Sequence, residues 1–295
     1  MPPAPRSAGA LTRRAFLTSA LGAAGGLVVA SSLPEVAWGA DGTTYSPLVL
    51  SSDLYASPDP QRVVFALARL TSSGQSFASG PALVTRFRKR GTKRWSQAQQ
   101  PAFDRVGLPK GRGVYVARPM LDSAGIWQVE ATVKGDRVTF LLEVHKAPAV
   151  VVPGAAAPRD ASPTPTDTLG VDPICTRDPA CPLHTQSLST VIGAGKPVAA
   201  LFATPARCQS AYCAPVLDEF LDVITSYGDG IVPVHIEIYR KSTGAALVPT
   251  VEAWGLPSEP WLFGISGDGI VQSRIDGAFG GTEMKALLDA LVQNK

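Results

Sequence analysis

The chain has 295 residues, 45% of them apolar and 17% charged, a globular composition with enough length for about two folded units. Its 27 basic and 24 acidic side chains leave a net charge of +3, too small and too dispersed to mark a nucleic-acid partner, which needs Lys and Arg gathered on one surface. Composition also excludes a chain disordered throughout, so irregular structure is expected only in linkers.

The N-terminus opens with Thr12-Arg13-Arg14-Ala15-Phe16-Leu17, a paired arginine leading into the weakly apolar stretch from Ala15 to Leu33. With small residues following at Ala37, Gly39 and Ala40, this resembles a twin-arginine export signal over 1–39, cleaved after Gly39 or Ala40. A retained membrane anchor is the alternative, because the stretch approaches the ~20 residues that span a bilayer. Gly and Ala dominate it, however, and Pro34 and Glu35 interrupt its end. The expected location is extracytoplasmic, secreted or attached to the cell envelope, where disulfides are the ordinary state of cysteines.

Residues 45–146 read as short strands separated by turn residues. Trp127, Val129, Ala131 and Val133 alternate with polar residues and are answered by Val138, Phe140, Leu142 and Val144, which predicts a hairpin turning at Gly135-Asp136. Runs at Val63–Leu70, Ala82–Arg88 and Val114–Ala117 add strands, and an immunoglobulin-like sandwich without an inter-sheet disulfide is expected. Trp95 and Trp127 are expected in its core. Arg86, Arg88, Lys89, Arg90, Lys93 and Arg94 surround Gly91 and read as a solvated hairpin tip; contact with an anionic polymer, wall or membrane surface is the rival.

Residues 147–170 are rich in Pro and Ala and are expected to form an extended linker. Beyond it the periodicity turns mixed. Pro197–Ala203 suits a buried strand, Ala211–Tyr227 has helical spacing, and Ile231–Tyr239 is β-rich. Trp261–Ile265 and Ile270–Ile275 read as an antiparallel pair around Ser266-Gly-Asp-Gly. Met284, Leu287, Leu288, Leu291 and Val292 stripe a final helix, with Thr282 as its candidate cap.

The order strand, helix, strand, helix-like segment, hairpin, helix over 171–295 resembles the thioredoxin fold, in an α/β domain that holds all four cysteines. Lys196 to Cys208 looks like the strand that delivers an attacking cysteine, Ala214-Pro215 like the helix after it, and Glu259-Pro260 like the segment with the family's cis-proline. The resemblance implies thiol-disulfide exchange on extracytoplasmic proteins without a bound cofactor: Cys208 attacks, Cys213 resolves, Pro260 shapes the groove, and Glu259 lies near the sulfur. The chain departs from that pattern in three ways. Four residues rather than two separate Cys208 from Cys213, Arg207 replaces the usual aromatic residue, and Leu201 stands where a buried acid assists proton transfer.

In regular helix, residues five apart have Cα atoms about 8–9 Å apart, beyond the ~7 Å limit for a disulfide. The pair can join only if Cys208 lies in the loop and the helix starts near Ser210. Cys208 is then exposed at a helix N-terminus, which together with Arg207 favours its thiolate. Cys175 and Cys181 bracket Thr-Arg-Asp-Pro-Ala and are expected to form a structural disulfide, although four cysteines allow three connectivities. A metal site would enlist Cys175, Cys181 and His184, completed by Cys208 or Cys213, but no two histidines stand at close ligand spacing. His235 reads as a satisfied strand residue. Thiol-disulfide exchange therefore has a rival, a non-catalytic binding or scaffold protein fixed by structural disulfides.

Overall fold

Strand alternation builds the N-terminal half of the computed structural model, which describes residues 37–38, 44–71, 74–77, 80–105, 107–108, 113–241 and 246–293. Apart from Ala37–Trp38, residues 1–39, expected from sequence to be an export signal, lie outside the described residues. One antiparallel sheet contains β1 (Ala37–Trp38), β2 (Thr44–Val49), β3 (Val63–Thr71), β4 (Gly74–Phe77), β6 (Ala102–Asp104) and β7 (Val114–Ala117). A second contains β5 (Leu83–Lys89), β8 (Gly125–Val133) and β9 (Asp136–Val144), again antiparallel. Phe65, Leu67 and Tyr115 of the first sheet meet Phe87, Trp127, Val129 and Phe140 of the second in one core. Period-2 alternation puts alternate side chains of each strand into it.

The β8–β9 turn comes one residue earlier than expected, with Val133 opposite Asp136 and Lys134-Gly135 as the loop. Both loop residues have positive φ, 49° and 94°, the geometry of a primed two-residue turn, and glycine takes the second position without steric cost. Trp95 also differs from expectation. It is half-buried beneath the guanidinium groups of Arg86 and Arg88, 4.7 and 4.3 Å from its ring centre.

The C-terminal half is a mixed sheet with flanking helices, in the order β11-β10-β12-β13. Strand β10 (Val198–Phe202) runs parallel to β11 (Val232–Ile236) and antiparallel to β12 (Trp261–Ile265), which pairs antiparallel with β13 (Val271–Asp276). All five residues of β10 are buried, the continuous apolar run of a strand covered on both faces. Ala199 and Leu201 face α2 (Cys213–Ile224) and α4 (Gly281–Gln293); Val198, Ala200 and Phe202 face α1 (Leu188–Val191) and α3 (Pro249–Ala253). The final helix starts at Gly281, so Thr282 is inside it rather than its cap.

Residues 147–170 form no helix or strand but are not a free tether. Gly154 N–H donates to Val271 O, Val271 N–H to Ala155 O, and Ala157 N–H to Gly269 O, so the segment covers the otherwise open edge of β13. The two halves also share a core. While Val63, Phe65 and Leu67 of β3 face the sandwich, Val64 and Ala66 join Val114 and Val116 against Leu262, Phe279 and Met284. Arg62 crosses the same boundary, bonding both carboxylate oxygens of Glu283 at 2.8 and 2.5 Å and the carbonyls of Asp276 and Ala278.

Candidate functional site

Two groups of cysteines lie at the β10–β11 end of the mixed sheet. Cys208 is in the loop after β10, and α2 begins only at Cys213, later than the Ser210 start expected from sequence. The difference arises at Ala211, whose positive φ of 60° adds a turn and pushes the helix start on. Cys213 N–H, one of the first-turn donors that a helix leaves unpaired, donates to Cys208 Sγ at 3.2 Å. Ser210 Oγ lies 3.2 Å from the same sulfur.

Cys208 is half-buried and Cys213 fully buried. The hydrogen bond from the Cys213 thiol does most to lower the Cys208 pKa, to about 6, with burial opposing and Ser210 and the Cys213 N–H assisting. Burial pushes the Cys213 thiol well above its ordinary value. Glu259 accepts from Gln209 N–H at 2.9 Å, and its charge opposes the Cys208 thiolate. Burial raises the pKa of this carboxyl as well. The Glu259–Pro260 peptide bond is cis. Arg207 does not act as expected from sequence. Its guanidinium donates to the carbonyls of Tyr239 and Asp172 and is not a leading influence on Cys208.

The second group comprises Cys175, Cys181, His184 and His235, all buried, with their ligand atoms within 4.8 Å of one another. Cys175 and Cys181, expected as a disulfide staple, are free thiols here, as are Cys208 and Cys213. The loop from Cys175 to His184 is fastened along β11. His235 N–H donates to Leu183 O at 3.0 Å, and Thr176 donates to buried Glu237 through its N–H at 2.6 Å and its hydroxyl at 2.8 Å. The Cys181 thiol holds the Cys175 pKa well below normal, against burial and with help from His184 and His235. The same partnership, together with burial, raises Cys181.

The condition read from spacing, Cys208 in the loop ahead of the helix, is met, and it brings Cys208 and Cys213 together. For the other group it found Cys175, Cys181 and His184 and missed His235. His235 lies on β11, 51 residues beyond His184, so no local spacing links them. One signal was present: His235 stands between Val234 and Ile236 in a buried strand, where a polar ring must find partners.

No protein-family description matches the chain, and no curated protein matches it. A solved structure described as a thiol:disulfide interchange protein, DsbE, from Chlorobium tepidum is distantly similar. Identity is 16% and the TM-score 0.33, over 48% of this chain and 99% of that one.

Proposed function

We propose that this chain is an exported, non-catalytic binding or scaffold protein, in which a thioredoxin-like region is fixed against an immunoglobulin-like β region. The observation that carries this reading is the environment of Cys213. Thiol-disulfide exchange requires the second cysteine to lose its proton and attack the mixed disulfide formed by the first. Cys213 is fully buried with its pKa raised, and the side chain at the assisting-acid position, Leu201, is itself fully buried and apolar. Cys213 would be slow to release a disulfide formed at Cys208. The shared core and the Arg62 bonds support a rigid body over a mobile catalytic module. The paired arginines at Arg13 and Arg14 support export by the twin-arginine route.

Thiol-disulfide exchange on extracytoplasmic proteins is the second reading, favoured by the lowered pKa of half-buried Cys208 near Glu259, whose bond to Pro260 is cis. Turnover separates the two. With excess glutathione and a fluorogenic disulfide peptide, a scaffold cleaves peptide no faster than glutathione alone, and Cys208→Ser changes nothing. Multiple turnovers abolished by Cys208→Ser would establish the exchange reading instead.

A further inference from the structure

We infer that Cys175, Cys181, His184 and His235 form a closed tetrahedral site for one divalent zinc-class ion. The group is separate from the Cys208–Cys213 pair, so the inference stands or falls independently of the proposed function.

His235 Nε2 lies 3.0 Å from Ala203 O, which only a protonated nitrogen can satisfy, so a neutral His235 has its proton at Nε2 and a lone pair at Nδ1. Three ligand atoms converge on that Nδ1: His184 Nε2 at 3.0 Å, Cys181 Sγ at 3.3 Å and Cys175 Sγ at 3.9 Å. One lone pair accepts one good hydrogen bond, whereas a cation at the centre of the group takes a lone pair from every member.

The separations around His235 Nδ1 fit such an ion. Zinc bonds of about 2.3 Å to sulfur and 2.0–2.1 Å to nitrogen, at tetrahedral angles, place sulfur and nitrogen ligands about 3.6 Å apart and two nitrogens about 3.4 Å apart. The observed sulfur–nitrogen distances of 3.3 and 3.9 Å and the nitrogen–nitrogen distance of 3.0 Å lie around these values.

Charge and support agree with the geometry. Two thiolates and two neutral imidazoles around a divalent cation sum to zero, which a fully buried site requires. Cys181 N–H donates to Cys175 Sγ at 3.4 Å, and the Leu183 backbone N–H donates to Cys181 Sγ, so each sulfur has a main-chain donor. The bond from His235 Nε2–H to Ala203 O is the outer-shell contact that orients a metal-bound imidazole. Two sulfur and two nitrogen ligands in a tetrahedron favour zinc over the harder divalent ions.

Cobalt(II) is the probe, because its visible spectrum reports tetrahedral geometry and its thiolate charge-transfer band reports bound sulfur. The reduced full chain, stripped with chelator, is expected to take up one equivalent with both signatures and to lose them to one equivalent of zinc. Cys208→Ser/Cys213→Ser retains both signatures, and Cys175→Ser/Cys181→Ser loses the charge-transfer band. Since ligand variants can fail to fold, the metal content of the wild-type chain as purified from zinc-supplemented cells is measured in parallel, with one zinc per chain expected. Folded wild type with no bound metal and no cobalt spectrum would overturn the site. A band lost only in the Cys208/Cys213 variant would overturn it too.

Discussion

Cys208 and His235 show how much of a residue's chemistry depends on its neighbours. A thiol with a pKa of about 6 is mostly thiolate at pH 7, whereas its ordinary value leaves it mostly protonated. Alkylation of Cys208 by iodoacetamide should therefore rise with pH through a midpoint near 6, while Cys213 stays unmodified in the native chain. Ser210→Ala removes one hydrogen bond to that sulfur and should move the midpoint upward, as read by rate against pH. The sign for stability follows from the same shift. A lowered folded pKa stabilises fully above the ordinary thiol value, and that stabilisation is lost as pH falls through about 6. His235 was hidden for a different reason. Its sequence neighbours are strand residues, and only the parallel pairing of β10 and β11 brings its ring beneath Ala203 O and beside the Cys175–His184 loop.

At the scale of elements, periodicity made most of the mixed sheet legible. The run at β10, the β12–β13 pair and the apolar stripe of α4 all follow from residue pattern. The start of α2 did not, because a positive φ at a non-glycine residue such as Ala211 leaves no compositional mark. The covering of β13 by residues 147–170 was equally hidden, since prolines and alanines that suit a tether also suit an extended strap. Strand β3 carries the clearest energetic consequence. Phe65 is fully buried, with its ring centre 5.4 Å from that of Tyr115 and 5.1 Å from that of Phe140. Phe65→Ala should cost about 3–5 kcal/mol in denaturant unfolding, through lost transfer energy and the cavity left behind.

For the whole molecule, the important fact is that β3 belongs to two cores. Since its two faces are covered by different halves of the chain, the β region and the mixed sheet should unfold together in one transition. Arg62 is one polar fastener between them. Its side chain is 8% exposed, and the Glu283 side chain it bonds is 14% exposed. Arg62→Ala removes the nearest cation from the Glu283 carboxylate, leaving Arg118 at 3.7 Å, and should cost about 3–5 kcal/mol, enough to split the transition or broaden it. The solvent-exposed Lys285–Asp289 pair provides the contrast, and Lys285→Ala should change the midpoint little.

The four cysteines occupy two unlike environments, one reactive sulfur beside a sealed one and a pair enclosed with two histidines. Differential alkylation of the native full chain under non-reducing conditions, read by mass spectrometry with and without a zinc chelator, tests that assignment most directly. Cys208 alone should be modified at first, with Cys175 and Cys181 becoming reactive only after chelation. Recovery of Cys175 joined to Cys181, or modification of both without chelator, would contradict it.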